Sequence, residues 1–291
     1  MNMPPDRRFA GLAAILLVGV ASLSLAACRL STASAEGTLS ASVSDAKSLV
    51  VQNSNGSVEI VKDPATTDLQ VSAKVRCAAE SEEAAEARLK ATKLVAERDP
   101  DGRVRVQVVF PPRGPAAGTV MLGGSGEGAS LVIRAANLDG IQVDTGNGSI
   151  TCGGFNGLAK LDTSNGSIRI EGHGGPVQLD TSNGAIEATR VGTPVVAKTS
   201  NGRVEVSLAD TATGDVKIDT SNGRVELELP ASWQGTVDAD TSNGSIEASI
   251  PSAKVVRMDR GEATVTIGDG TKAKATVDTS NGRVTIRAAT K

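Results

Sequence analysis

The sequence predicts a mainly β protein: a parallel β-solenoid with a small α/β capping segment on its N-terminal side. Three observations point there. A D-T-S-N-G motif or a close copy recurs seven times, with its glycines at Gly148, Gly166, Gly184, Gly202, Gly223, Gly244 and Gly282. The steps between them are 18, 18, 18, 21, 21 and 38 residues, the self-similarity of a coil-by-coil architecture. Around each motif, apolar and polar residues alternate with period two, as in Ala159 and Leu161 before one turn and Ile168 and Ile170 after it. The composition agrees: 32 glycines, one tryptophan, no tyrosine and three phenylalanines leave a chain of small and β-branched residues suited to strands and turns.

Asn-Gly between alternating apolar residues is also the strongest short hairpin signal, so an antiparallel meander is the competing architecture. The repeat argues against it, because matching residue types recur in the same column coil after coil. Parallel stacking explains this by placing each residue roughly 4.8 Å from its counterpart. In the turn itself, Gly takes positive φ freely and Asn tolerates it, so a left-handed conformation is expected at Gly202 and its equivalents. The asparagines at 147, 165, 183, 201, 222, 243 and 281 (Asn147, Asn165, Asn183, Asn201, Asn222, Asn243 and Asn281) are placed to hydrogen-bond along the stack. The motif is thereby explained as structure, without chemistry.

From the N-terminus, residues 1–27 read as a secretory signal. Arg7 and Arg8 form a basic start, an apolar run follows, and Leu25-Ala26-Ala27 supplies small residues ahead of Cys28. Residues 28–47 are small and polar, and read as a flexible tether. Residues 48–130 form the expected capping segment. It holds one more motif copy, QNSNGSVEI from Gln52, and strands over 69–77 and 104–110. Between these strands lies a helix, with Ser81 as its N-cap, acids in its first turn and bases later. PPRGPAAG and GGSGEG mark a long loop. Residues 131–291 carry the solenoid, beginning with a strand over 131–135. The 38-residue gap is filled by a degenerate coil, VRMDRGEATVTI around Gly261, with Val256 and Met258 expected inward before the turn and Ala263 after it.

Candidate chemistry is sparse. A near-neutral chain (net charge −3) with almost no aromatic residues lacks both the basic field and the stacking platforms of nucleic-acid binders. His173, the single histidine, falls in a connection and reads as a solvated loop residue. Glu187, Glu205, Glu226 and Glu247 follow their turn glycines at one fixed offset. In register they would form an outward strip, either for cations, which favour clustered oxygens, or merely a solvated face laced by Arg203 and Arg224. Cys77 and Cys152 both occupy apolar phases. A disulfide between them and two separate buried thiols are both consistent with the sequence, and a bridge requires Cα atoms within about 7 Å. No Ser-His-Asp or paired-histidine pattern, metal cluster or cofactor motif is present.

The Leu25-Ala26-Ala27-Cys28 stretch resembles the lipobox of bacterial lipoproteins, which implies lipidation at Cys28. Arg29 after the cysteine then points to the outer membrane in a two-membrane host. Signal, short α/β segment and T-S-N-G-x-I repeats together resemble a family of bacterial envelope proteins labelled adhesin-like or of unknown function, over about residues 48–291. That resemblance implies a right-handed β-helix-like fold and an envelope role, and it carries no catalytic motif. The resulting expectation is a membrane-anchored, non-enzymatic interaction or envelope-stress module with an unidentified envelope or extracellular ligand. The alternative is a polysaccharide-active β-helix enzyme, a lyase or glycosidase.

Overall fold

The computed structural model describes residues 16–18, 33–112, 126–251 and 253–289. The first strands are β1 (Leu16–Val18), β2 (Ala33–Val43), β3 (Ser48–Asn55), β4 (Val58–Lys62) and β5 (Leu69–Ala79). Helix α1 (Glu82–Ala91) leads to β6 (Lys93–Arg98), β7 (Arg103–Val109) and β8 (Gly128–Ala135). Five two-strand coils follow: β9 (Gly140–Asn147) with β10 (Ile150–Gly153), β11 (Leu158–Thr163) with β12 (Ile168–Glu171), β13 (Val177–Thr181) with β14 (Ile186–Val191), β15 (Val195–Asn201) with β16 (Val204–Leu208), and β17 (Val216–Asn222) with β18 (Val225–Leu229). The chain ends in β19 (Gly235–Ser249), β20 (Ala253–Met258), β21 (Glu262–Ile267) and β22 (Lys274–Ala288).

Strands before the turn stack in parallel as one ladder and strands after it as a second. On the first, Leu161 lies beside Val143 on one side and Leu179 on the other; on the second, Ile168 lies between Ile150 and Ile186. Inward residues of both ladders bury one continuous core, with Leu161, Ile168, Ile218 and Val225 fully inaccessible. The parallel solenoid is therefore the architecture, and the turn joins two ladders rather than two strands of a hairpin. Aromatic side chains fill the core near the connections opposite the turn: Phe155 and Trp233 are buried, and Trp233 Nε1 donates to the Gly214 carbonyl at 3.2 Å.

Stack order departs from chain order at both ends. At the N-terminal end β7 pairs beyond β3, and β8 beyond β4, so the Gln52 motif copy is an interior rung. The parallel stack thus extends into the segment expected to be only a cap. There β6 closes the first ladder antiparallel to β7, while β5, then β2 and the short β1 close the second. Helix α1 packs on β2 and β5, with Leu89 over Gly37. Ser81 caps it by accepting from the Ala84 amide at 3.2 Å, as expected.

Two expectations are corrected here. The segment 28–47 is not a tether throughout, because Ala33–Val43 is a strand paired with β5 over its whole length. Its alternation Leu39, Ala41, Val43 is weakly hydrophobic, yet these side chains are buried because β5 supplies a bulky apolar partner face. The degenerate coil around Gly261 is also not a coil. β21 pairs antiparallel with β19, and β20 pairs antiparallel with β21. The space in the stack is filled instead by β22, which inserts between β17/β18 and β19 and pairs in parallel with all three. Val256 and Met258 are exposed, whereas Ala263 is buried.

Candidate functional site

The turn column is built from stacked main chain. A Cβ added at Gly202 would run into the carbonyl oxygen of Gly184, and the same holds for each turn glycine against the coil before it in the stack. Gly202 does not have the positive φ expected for it; among the motif glycines, Gly56 of the Gln52 copy does, at 116°. Glycine is thus demanded by close approach of successive backbones rather than by a left-handed conformation. Beside it the asparagines form the expected ladder. Nδ2 of each donates to Oδ1 of the neighbour toward the N-terminal end, from Asn147 to Asn55 (2.8 Å), Asn165 to Asn147 (2.8 Å), Asn183 to Asn165 (2.9 Å) and Asn201 to Asn183 (3.0 Å). It continues from Asn222 to Asn201 (3.0 Å), Asn281 to Asn222 (2.8 Å) and Asn243 to Asn281 (3.1 Å).

A second ladder, of threonines, was not anticipated. Buried Thr163, Thr181 and Thr199 donate to the glycine carbonyls of the preceding coil, Gly148, Gly166 and Gly184, at 2.9–3.1 Å. The signal was present in every motif, since a buried hydroxyl on an apolar phase needs an acceptor. Thr145 breaks the pattern. The rung before it, β3/β4, carries Asn53 in place of threonine, and Asn53 Nδ2 already donates to Gly56 O at 2.9 Å. Thr145 Oγ1 is accordingly buried with no hydrogen-bond partner among the described residues.

The outward face of the second ladder is charged and regular. In stack order one column reads Glu59, Thr151, Arg169, Glu187, Glu205, Glu226, Thr285 and Glu247. The insertion of β22 therefore places Thr285 between Glu226 and Glu247, and the expected strip of four consecutive glutamates contains three. These three are ion-paired: Glu187 with Arg169 at 2.7 Å, Glu205 with Arg203 at 3.0 Å and Glu226 with Arg224 at 3.5 Å. No group of three or more His, Cys, Asp or Glu among the described residues could hold a metal ion. A carboxylate column on the first ladder is less compensated. Burial, then the carboxylates of Asp180 and Asp144, raise the pKa of Asp162; burial, Asp219 and Asp240 do the same to Asp278.

His173 is buried, not solvated. Its Nε2 lies 2.6 Å from the Gly157 carbonyl, so Nε2 carries the proton and donates. Nδ1 has no partner among the described residues, and burial lowers the pKa, leaving a neutral ring that spaces two connections. Cys77 and Cys152 are both buried free thiols. Cys77 lies on β5 and Cys152 on β10, three strands apart across β8 and β4, about 14 Å at the usual spacing. Cys152 is in register with Val71 rather than Cys77, which adds further distance along β5. The disulfide is excluded by that separation. Burial pushes the Cys152 thiol up to about 12 and also raises Cys77, so neither is a thiolate near neutral pH. Cys28 and most of the Pro- and Gly-rich loop lie outside the described residues. Among the described residues the concave surface includes shallow depressions. One, of about 350 Å³, lies beside Glu36, Lys74, Arg76 and the start of β8. No helix among the described residues is long and apolar enough to cross a membrane.

Among solved structures, the chain is similar to a proposed cell adhesion protein from Clostridium sporogenes, at 12% identity and a TM-score of 0.30, covering 89% of this chain and 100% of that one. It is similar to a proposed adhesin from Bacteroides fragilis, at 12% identity and a TM-score of 0.42, covering 87% and 97%. A third likeness is to a proposed lipid-binding protein from Parabacteroides distasonis, at 12% identity and a TM-score of 0.39, covering 88% and 97%. No curated protein matches it. The family model for Toastrack DUF4097 matches residues 93–287, from β6 to the end of β22, and with more than half of its length so matched the chain belongs to that family.

Proposed function

We propose that the protein is a lipid-anchored, non-enzymatic module of the bacterial cell envelope that presents its charged solenoid face to an envelope or extracellular partner. The observation that carries this reading is the outward column of the second ladder, where glutamates and arginines are held in register by a backbone that glycine, asparagine and threonine ladders make rigid. Such a face offers repeated, evenly spaced charge rather than one asymmetric constellation of acid, base and oxyanion donor, and repetition suits adhesion better than catalysis. The small residues ahead of Cys28 support the anchor, and Arg29 supports sorting to the outer membrane where a host has two.

Two measurements test the reading. Cys28→Ser should leave an unprocessed precursor or move the protein from membrane to soluble fractions; unchanged fractionation with an unmodified terminus removes the anchor. Folded residues 29–291 should capture a partner from envelope fractions, and Arg203→Glu with Arg224→Glu should abolish that capture. A reproducible saccharide degradation product from the same protein would instead establish the lyase or glycosidase alternative.

A further inference from the structure

The two ends of the solenoid are finished differently. At the N-terminal end, α1 covers β2 and β5, and the edge strand β6 carries exposed Lys93, Glu97 and Arg98, which discourage further strand pairing. At the C-terminal end the ladders stop at different heights. The first continues past β19 through β21 and β20, while the second stops at the later half of β19, residues 241–249. The first ladder therefore overhangs the second by two strands, about 10 Å.

The step is apolar on its inner side. Ala253, Val255 and Met258 of β20 lie opposite the buried Ile267, Val265 and Ala263, so they belong to the inward phase, yet Val255 and Met258 are 50% and 42% exposed. Facing them across the step, Ile246 and Ala248 are only partly buried, whereas their equivalents Ile186 and Ala188 are each 1% exposed. Both edge strands also lack an outer neighbour among the described residues.

We infer that this end is the interface of a two-fold homodimer, in which β20 of each copy adds to the β19 edge of the other. A rotation about an axis along the strands carries the overhang of one copy into the step of the other. The contact closes on itself and consumes both free edges twice over. Charge favours the same occupant. On the outward phase β20 presents Lys254 and β19 presents Glu247, and neither has an ion pair among the described residues. The docked arrangement brings each lysine toward the partner's glutamate.

The test is the mass of the full chain in detergent solution, by light scattering and sedimentation over a range of concentrations. A dimer is expected. Lys254→Glu alone and Glu247→Lys alone should each weaken it by roughly tenfold or more, since each creates two like-charge contacts. The double reversal should restore it, which also shows that the single variants fold. A monomer at every concentration would overturn the inference, as would a dimer indifferent to both single reversals or one left weak in the double variant.

Discussion

At the residue scale, one motif performs three separate tasks. Glycine lets successive backbones approach, asparagine links the turns outside the core, and threonine satisfies the glycine carbonyl from within. Gly202→Ala should therefore cost about 2 kcal/mol or more in denaturant unfolding, because the new methyl meets the Gly184 carbonyl. Ser200→Ala, exposed in the same turn, should stay within about 0.5 kcal/mol. Gly172 makes a useful contrast, with a φ of 60° and open space around it, so Gly172→Ala should cost about 1 kcal/mol from backbone strain alone. Titration separates three other residues. In the unfolded chain His173 takes a proton as pH falls through about 6.5, but the folded ring resists it, so stability should decline on acidification from pH 7 to pH 5. That slope should be flatter in His173→Gln. The raised Asp162 and Asp278 act with opposite sign: the folded state binds their protons more readily, so they favour folding as pH falls toward 4.

At the element scale, much of the fold was legible and the failures have physical causes. The coils, the helix and the Ser81 cap follow from periodicity and capping chemistry, which are local. Ser81→Ala should accordingly cost about 1 kcal/mol, measurable as a shift in the unfolding midpoint. The β20–β21 hairpin was hidden because an antiparallel strand keeps the same two-residue alternation as a parallel one. Apolar residues at 256 and 258 therefore could not tell a coil from a return strand. β2 was hidden for a different reason. Its inward face relies on alanine and on burial against β5, a partner distant in sequence. His173 illustrates the same limit at the candidate site, because its burial depends on the stacked connection that carries Gly157. The burial of Cys77, by contrast, followed from the alternation of its own strand. The Glu187–Glu226 column was legible because it needs only register, and Glu247 was misplaced because stack order is not written in the repeat.

At the scale of the whole molecule, the parallel stack turns local repeats into a single cooperative body whose ends carry the individuality. Chain continuity matters most at the inserted strand. β22 contacts β17, β18 and β19, so deleting residues 274–291 removes one rung and strips a second of its neighbour. The truncated chain should lose its cooperative unfolding transition and bind a hydrophobic dye, which a denaturant titration and a dye-fluorescence assay would show.

The placement of β22 also has a consequence in time. Synthesis delivers the chain from its N-terminus, so each rung from β9/β10 through β17/β18 finds the rung it stacks on already made as it emerges. β19 does not, because the strand on which it must lie is the last to arrive, and Asn281 closes onto Asn222 across 59 residues of intervening chain. Such distant pairing is slow compared with coil-on-coil growth. Maturation therefore has a fast phase that grows from one end and a final locking event that awaits the finished chain. A product that ends early never receives that lock, which makes an intact C-terminus the condition for completing the fold.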